Sequence, residues 1–171
     1  GRAVAPSEIP NRWDTSIVHQ EMTVEEIQQI VKAFGRAARF VQQCGIDGVE
    51  VHALHEGYLL DQFATAYFNR RQDEYGGSFE NRYRFAVEVC EEIKRTCGKG
   101  FPVSLRYSPK HYIKGLLSGA VAGEIFEEKG RDFEEGIQAA RYLEQAGYDA
   151  LNVDVGCYDA HYWNHPSVFQ P

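Results

Sequence analysis

The 171-residue sequence predicts an α/β fold, and more specifically a central segment of a (β/α)8 TIM barrel with about three β/α units. Three amphipathic helical patterns each run directly into a short apolar strand, which is typical of a parallel sheet covered by helices. The glycines that end these helices, at positions 45, 98 and 147, are spaced by 53 and 49 residues. A doubly wound sheet is the alternative, but no strand is followed by a Gly-x-Gly-x-x-Gly turn.

A complete barrel of eight such units takes about 250 residues, which is more than this sequence offers. The sequence has no initiator Met and stops at Pro171 in an aromatic stretch, so both ends look like cuts in a longer protein. We therefore expect residues 1–171 to form part of one barrel domain, approximately strands 4 to 6 with their helices.

The first helix is predicted to begin after Thr23, which stands at capping-box spacing from Glu26. Met22 and Ile27 occupy the two positions of a hydrophobic staple. Gly45 is expected to end the helix in the left-handed conformation, before the strand 48–52. One helical face carries apolar residues at a spacing of three and four: Ile27, Ile30, Val31, Phe34, Ala38 and Val41.

The second helix is predicted to begin near Ser78 and to end at Gly98. Its apolar stripe is Phe79, Tyr83, Ala86, Cys90 and Ile93. The strand 101–107 follows, with Pro102 at the start, where a missing N–H does little harm.

The third helix is predicted to begin at Asp132, with Glu135 as the capping-box partner, and to end at Gly147. The strand 149–154 follows it. The predicted apolar stripe of this helix is Phe133, Ile137, Ala140 and Leu143.

The composition excludes several classes of partner. The 25 acidic residues outnumber the 18 basic ones, giving a formal net charge of −7, and no block of Lys and Arg marks a nucleic-acid or membrane-surface site. The sequence has no run of about 18 apolar residues, so no membrane span is predicted. The first residues lack the apolar region of a signal peptide. Four cysteines without a Cys-x-x-Cys pair favour neither a zinc site nor a thioredoxin-type motif. We expect Cys44 and Cys90 to be core residues and the protein to be cytoplasmic.

Two connections, from His52 to Ser78 and from Tyr107 to about Arg131, are longer than the sheet requires. Both follow the carboxyl end of a strand, the face on which barrel enzymes build their active sites. The second connection is rich in glycine and is predicted to be a mobile surface excursion, such as a lid. The loop 68–82 holds Arg, Asp and Glu residues that predict a local knot of ion pairs.

The first strand ends in a segment with two imidazoles and a phenol: His52, His55 and Tyr58. Such groups can donate hydrogen bonds to a substrate oxygen and supply a proton. The structural alternative is that one His is a core residue and Tyr58 a packing aromatic. A metal-dependent barrel hydrolase using His52, His55 and Asp154 is a second alternative, but the order His-x-x-His-Glu fits no metalloprotease motif, and no metal is expected.

Arg106 ends the second strand and suits an anion or an electron-rich heterocycle edge. The alternative is a salt bridge to a carboxylate on a neighbouring strand. The aromatic tail after the third strand, residues 157–166, either lines an apolar pocket or packs against the rest of the barrel.

Longer motifs identify a family. The segments 47–52 (DGVEVH), 57–63 (GYLLDQF), 69–71 (NRR) and 73–82 (DEYGGSFENR) resemble the Old Yellow Enzyme family, the NAD(P)H:flavin oxidoreductases on an FMN-binding (β/α)8 barrel. The resemblance runs from about Met22 to Val153. Within it, the segment 52–63, the strand 102–107, the glycine-rich insertion and the tail 158–160 are similar to 2-enoate reductases, most of all to the bile-acid-modifying ones.

The resemblance implies an ene-reductase that reduces the activated C=C bond of an enoate or enone, with FMN as cofactor and NADH or NADPH as reductant. His52 and His55 match the pair that binds the substrate carbonyl or carboxylate oxygen, and Tyr58 matches the proton donor. Arg106 matches the arginine beside the flavin pyrimidine edge. A 4Fe-4S cluster and FAD are implied for the longer protein, outside this segment, and a homo-oligomer is compatible.

The segment departs from the family at one place. Many members read His-x-x-His/Asn-Gly-Tyr, whereas Glu56 adds a residue before Gly57 and Tyr58. The insertion leaves open which His faces the substrate. A non-enzymatic reading, an inactive barrel fragment, also stays open for the isolated segment, because three strands leave sheet edges unpaired.

Overall fold

The computed structural model describes residues 2–11, 14–55, 57–121, 123–154 and 156. In chain order the elements are β1 (Val4–Ala5), β2 (Ile9–Pro10), β3 (Val18–Glu21), α1 (Val24–Gln43), β4 (Val49–Leu54), α2 (Leu59–Ala64), α3 (Phe79–Cys97), β5 (Val103–Tyr107), β6 (Ile113–Gly115), β7 (Ser118–Gly119), α4 (Phe133–Gln145) and β8 (Ala150–Val153). No described helix is long and apolar enough to cross a membrane.

The central sheet contains the three predicted strands in the order β4-β5-β8, and both pairings are parallel. The three strands of this sheet are therefore neighbours in the order in which they occur along the chain, with α3 in the first connection and α4 in the second. A barrel adds its strands in this sequential order, whereas a doubly wound sheet reverses direction part-way. Register places His52 of β4 opposite Arg106 of β5, and Arg106 opposite Asn152 of β8.

The helices begin where their capping residues predict. Thr23 and Glu26 form the complete capping box, and Ser78 accepts a hydrogen bond from the backbone N–H of Asn81. At the third helix only half of the predicted box forms: the Asp132 side chain caps the helix, but the Glu135 carboxylate accepts from Arg82 and Tyr83 instead. The three helix-ending glycines all have positive φ, between 83° and 109°.

The main core lies between the sheet and the helices α1, α3 and α4. Most of the two predicted stripes on α1 and α3 contribute to it, including Ile27, Val31, Tyr83 and Cys90. The prediction that Cys44 is a core residue is wrong, because this residue caps the carboxyl end of α1 and is exposed. The capping position turns its side chain away from the buried helical face.

The buried face of α4 also differs from its predicted stripe. Phe133 and Ile137 are more than half exposed, whereas Gly136, Ala139 and Leu143 are buried. Small residues let the first turns of the helix approach the strand ends closely, so Gly136 and Ala139 lie on the buried face together with Leu143. The predicted stripe is therefore wrong at Phe133 and Ile137 and confirmed at Leu143, which is buried, and at Ala140, which packs against the core.

The glycine-rich connection after β5 is an ordered hairpin at its base. Strands β6 and β7 pair in antiparallel fashion, and Ile113 is fully buried in a small second core with Ala5, Ile9 and Phe68. The Glu128 carboxylate accepts hydrogen bonds from the backbone N–H groups of Tyr112 and Ile113. The predicted surface excursion is therefore tied to the body of the molecule at its base.

The loop between α2 and α3 contains an ion pair, as predicted, between Arg71 and Asp73. Arg71 is buried and binds the Asp73 carboxylate through Nε and Nη2, at 3.0 and 2.5 Å. Its Nη1 donates to the backbone carbonyls of Pro6 and Met22. Arg71 thus fixes the loop to the segment that precedes α1.

Candidate active site

The central strands have one apolar and one polar face. Along β4 and β5, Val51, Val103 and Leu105 are buried against the helices. The alternate residues form a polar face: Glu50, His52, Ser104, Arg106 and Asn152. Alternation of this kind follows from the period of two in a strand. The polar face ends, at the carboxyl side of the sheet, in the residues predicted as the site.

His52, in β4, lies together with His55 and Tyr58, which follow this strand. The ring centroids are 4.5 Å apart for the two imidazoles, 4.9 Å for His52 and Tyr58, and 5.1 Å for His55 and Tyr58. The three residues differ in exposure: His52 is exposed on the polar face, Tyr58 is half-buried, and His55 is 1% exposed. Glu56, the inserted residue, lies outside the described residues.

Arg106 and His55 share a carboxylate from the next strand end. Arg106 donates to Asp154 Oδ2 from Nη2 at 2.6 Å and from Nε at 3.2 Å. His55 Nδ1 lies 3.6 Å from the same oxygen. Arg106 therefore forms the salt bridge to a neighbouring strand that was the alternative interpretation of this residue. Its side chain still has 37% of its surface exposed.

The arrangement does not favour a metal centre. Among the described residues no group of three or more His, Cys, Asp or Glu side chains could hold a metal ion. Asp154 binds Arg106, and Asp61 is committed to the buried guanidinium of Arg131 at 2.8 Å.

A cavity of about 240 Å³ adjoins the turn that carries Tyr58. Its walls come from the first residues of the chain, from α2 and from the hairpin. Most of the lining side chains are apolar, with Asn11 and His19 hydrogen-bonded to each other at 3.0 Å. The apolar members are Ile9, Pro10, Leu59, Phe68 and Leu116.

A buried polar cluster lies beneath the site, and its contacts were not predicted from the sequence. Asp61 is fully buried and accepts hydrogen bonds from Arg131, His111 and the backbone N–H of Gly57. Burial raises the pKa of a carboxyl, but the contacts of Asp61 with His111 and Arg131 and the Gly57 hydrogen bond outweigh it and hold its pKa well below the usual range. No local signal identifies this cluster, because Asp61 and Arg131 are 70 residues apart in the chain. The aromatic tail, residues 157–166, lies outside the described residues.

Residues 3–160 match the model of the NADH:flavin oxidoreductase / NADH oxidase family. The match covers the central sheet, the described helices α1 to α4 and every residue of the candidate site. The chain belongs to this family. The resemblance to Old Yellow Enzymes in the sequence is thereby confirmed.

Similar proteins and solved structures support this family assignment. A cinnamate reductase of Clostridium sporogenes is 60% identical over 98% of the chain, and the chain spans 25% of that protein. The structure of 2-naphthoyl-CoA reductase in complex with 2-naphthoyl-CoA superposes with a TM-score of 0.78 at 31% identity, over 93% of this chain and 22% of the other. An Old Yellow Enzyme homologue from Zymomonas mobilis gives 0.71 at 29% identity, over 100% and 46%.

These superpositions confirm the predicted fold. The chain is a segment of the (β/α)8 barrel of NADH:flavin oxidoreductases, and the three parallel strands belong to that barrel. It spans about a quarter of the length of the cinnamate reductase. None of these relatives supports the alternative of a metal-dependent hydrolase.

Proposed function

We propose that the chain contributes to the active site of an FMN-dependent NAD(P)H oxidoreductase, an ene-reductase that reduces the activated C=C bond of an enoate or enone. The observation that carries the proposal is the cluster of His52, His55 and Tyr58 at the end of β4. Arg106 stands beside it, in register with His52. Membership in the NADH:flavin oxidoreductase family supports flavin and nicotinamide as the redox partners.

In this proposal the pair of imidazoles serves the oxygen of the substrate carbonyl or carboxylate, with one ring in contact with it, and Tyr58 supplies a proton to the carbon alpha to it. Hydrogen bonds aimed at an oxygen that gains negative charge lower the barrier more than they stabilise the ground state. His52 is exposed and His55 buried, so direct contact with substrate suits His52 best. His55 then supports the rings of His52 and Tyr58 from below.

Arg106 is the residue of this chain best suited to hold the flavin. Its guanidinium is half-exposed on the polar sheet face, and its planar donors match the carbonyl and nitrogen edge of a flavin ring. FMN, when bound, supplies the hydride for the beta carbon of the alkene. NADH or NADPH is the reductant, and a 4Fe-4S cluster and FAD would belong to other parts of the protein.

The apolar cavity beside Tyr58 supports a substrate with a hydrocarbon group on its alkene. Its volume of about 240 Å³ and its aliphatic and aromatic walls suit an aryl or alkyl substituent better than a charged one. The relative at 60% identity is named for cinnamate, an aryl enoate. We therefore propose aryl enoates as the first substrates to test.

The protein expressed from its complete gene provides the first test. Its visible spectrum should show flavin bands that bleach under anaerobic NADH and return when the enoate is added. A protein that is colourless, and stays so after FMN is added, would overturn the proposal.

Tyr58→Phe tests the proton donor. Loss of a general acid costs about 10²- to 10⁴-fold, so alkene reduction should slow by that factor while flavin reduction by NADH is unchanged. Tyr142→Phe, on the outer helix α4, is the matched control and should leave both half-reactions unchanged. Equal losses in both half-reactions of Tyr58→Phe would refute the role.

We also propose that the protein is cytoplasmic and that it associates with itself. Cys44, Cys90 and Cys97 are free thiols, as in proteins of reducing compartments. The exposed side chains of Phe133 and Ile137 offer an apolar surface for a second subunit or for another part of the same barrel. Cell fractionation and sedimentation of the complete protein test the two statements separately.

A further inference from the structure

A buried carboxylate lies under the turn that carries Tyr58. Asp61, in the first turn of α2, has no exposed surface. Its carboxylate receives Arg131 Nη2 at 2.8 Å, His111 Nε2 at 3.1 Å and the backbone N–H of Gly57 at 3.0 Å. A buried anion is tolerated only when donors surround it in this way.

The hydrogen-bond pattern assigns the tautomer of His111. The backbone N–H of Arg131 donates to His111 Nδ1 at 3.0 Å, so Nδ1 carries no proton. The proton of a neutral ring is then on Nε2, which donates to Asp61. Arg131 Nη1 lies 3.3 Å from His111 Nε2, but both nitrogens then carry protons, so no hydrogen bond forms between them.

The contact with Gly57 reaches the candidate catalytic residue directly. Gly57 precedes Tyr58 and has a φ of 79°, the left-handed region that favours glycine. Asp61 binds its N–H, and the Gln62 side chain donates to its carbonyl at 2.7 Å. Both polar backbone groups of Gly57 are therefore held by side chains of α2.

The other side of the cluster is attached to the neighbouring strand end. Arg131 donates from Nη1 to the backbone carbonyl of Ser108 at 2.5 Å and from Nε to the hydroxyl of Tyr83 at 2.7 Å. His111 and Arg131 stand at the two ends of the hairpin connection. Asp61 thus joins the Tyr58 turn to the hairpin and to α3.

We propose that Asp61 is a positioning residue for alkene reduction: through the backbone of Gly57 it sets the place of the Tyr58 phenol relative to the His52 and His55 rings, and Arg131 and His111 hold Asp61 in place. The proposal rests on the proposed function, because it assigns Asp61 an effect on the proton donor. It predicts an effect on one half-reaction only.

Asp61→Asn separates this role from a general structural one. An amide that turns its oxygen toward Arg131 presents its NH₂ group to the Gly57 N–H, so the Gly57 hydrogen bond is lost. Alkene reduction should fall about 10- to 100-fold, since small displacements of a catalytic group cost that much. Flavin reduction by NADH should stay unchanged, and amide hydrogen exchange at Gly57 and Tyr58 should accelerate.

The double variant Tyr58→Phe/Asp61→Asn provides the decisive comparison. If Asp61 acts through Tyr58, adding Asp61→Asn to Tyr58→Phe should change alkene reduction less than 3-fold. A further 10-fold loss in the double variant, or equal slowing of both half-reactions in the single variant, would overturn the proposal. An inactive wild type would instead refute the proposed function itself.

Two further variants keep the test interpretable. Gln62→Leu removes the partner of the Gly57 carbonyl and leaves the buried ion pair intact, so it remains usable if Asp61→Asn does not fold. It should slow alkene reduction about 3- to 10-fold, and an unchanged rate would count against the proposal. Glu128→Gln is the matched control, because the Glu128 carboxylate binds backbone N–H groups of the hairpin connection, those of Tyr112, Ile113 and Gly130, and not that of Gly57. It should leave the ratio of the half-reactions unchanged.

Discussion

Gly136→Ala tests how closely α4 packs against the strand ends. Gly136 lies in the first turns of this helix, opposite the backbone of Pro109. A Cβ added there would stand 3.0 Å from the Pro109 carbonyl carbon and 3.1 Å from its Cα. It would lie closer still to the carbonyl oxygen, inside the 3.0 Å limit that real Cβ contacts respect. Backbone atoms cannot rotate aside, so the helix or the loop must move.

The expected cost follows from three effects. Overpacking of this kind destabilises a protein by about 1–3 kcal/mol. The displacement also strains the 2.5 Å hydrogen bond from the Tyr107 hydroxyl to the Gly136 carbonyl, worth about 1 kcal/mol. Burial raises the pKa of Tyr107 to about 12, so the hydroxyl is a donor at neutral pH. The better helix propensity of Ala returns about 1 kcal/mol, and we expect a net loss of about 1–3 kcal/mol.

Gly35→Ala is the matched control, a second buried helical glycine at a close contact. There a Cβ would meet side-chain atoms only, Glu92 Cγ at 2.8 Å and Thr96 Oγ1 at 2.9 Å. Glu92 can change rotamer at the expense of an ion pair with the exposed Arg95, worth less than about 1 kcal/mol. The Glu92 and Thr96 side chains must both shift, but the gain in helix propensity offsets part of this cost, so the net change in stability should be small.

Urea unfolding followed by circular dichroism, on the protein expressed from its complete gene, measures the difference. The midpoint of Gly136→Ala should fall clearly below that of wild type, and Gly35→Ala should stay near it. A Gly136→Ala midpoint equal to or above wild type would refute the packing argument. Equal losses in both variants would show that the Pro109 backbone is not the cause.

Three further predictions use other parts of the molecule. Hydrogen bonds from Arg71 and Lys94 hold the pKa of Asp73 and Asp149 below the unfolded value of about 3.9, so their stabilisation is complete above that pH and is lost as the pH falls through the folded-state pKa. The urea midpoint should therefore drop as the pH falls below about 4, and a midpoint independent of pH would contradict this. Cys44 should be alkylated in the native protein, whereas Cys90, whose pKa burial raises to about 11, should react only after unfolding; mass spectrometry distinguishes them. Arg106→Ala should weaken FMN retention about 10-fold or more, measured as flavin released on dialysis, and full flavin content would argue against its placement.

Local sequence signals predicted the helices and the strand ends well. Capping side chains such as Thr23 and Ser78 act within three residues, so their effect can be read directly from the sequence. The parallel order of the strands followed from the repeated helix-then-strand unit. His52 and Tyr58 could be proposed because they lie at the carboxyl end of a strand, the end at which barrel enzymes build their active sites.

Contacts between distant segments could not be predicted in this way. The predicted stripe on α4 was wrong at Phe133 and Ile137 because Gly136 and Ala139 face the core, and the close contact with the Pro109 backbone cannot be read from the helix sequence. The pairing of Asp61 with Arg131 was not predicted, for the same reason. Each residue alone resembles an ordinary surface charge, and only the fold brings the two together in the interior.

The candidate roles of His55 and Arg106 are coupled through Asp154. Arg106 donates to Asp154 Oδ2 at 2.6 Å, and His55 Nδ1 lies 3.6 Å from that same oxygen. The carboxylate offsets part of the positive charge that Arg106 offers to an anion, and it also faces the His55 imidazole, for which we propose the role of supporting His52 and Tyr58. A substitution at either residue therefore changes the electrostatic surroundings of the other. Rate effects at His55 and Arg106 need to be measured together with Asp154→Asn, since neighbours that share a partner are not additive.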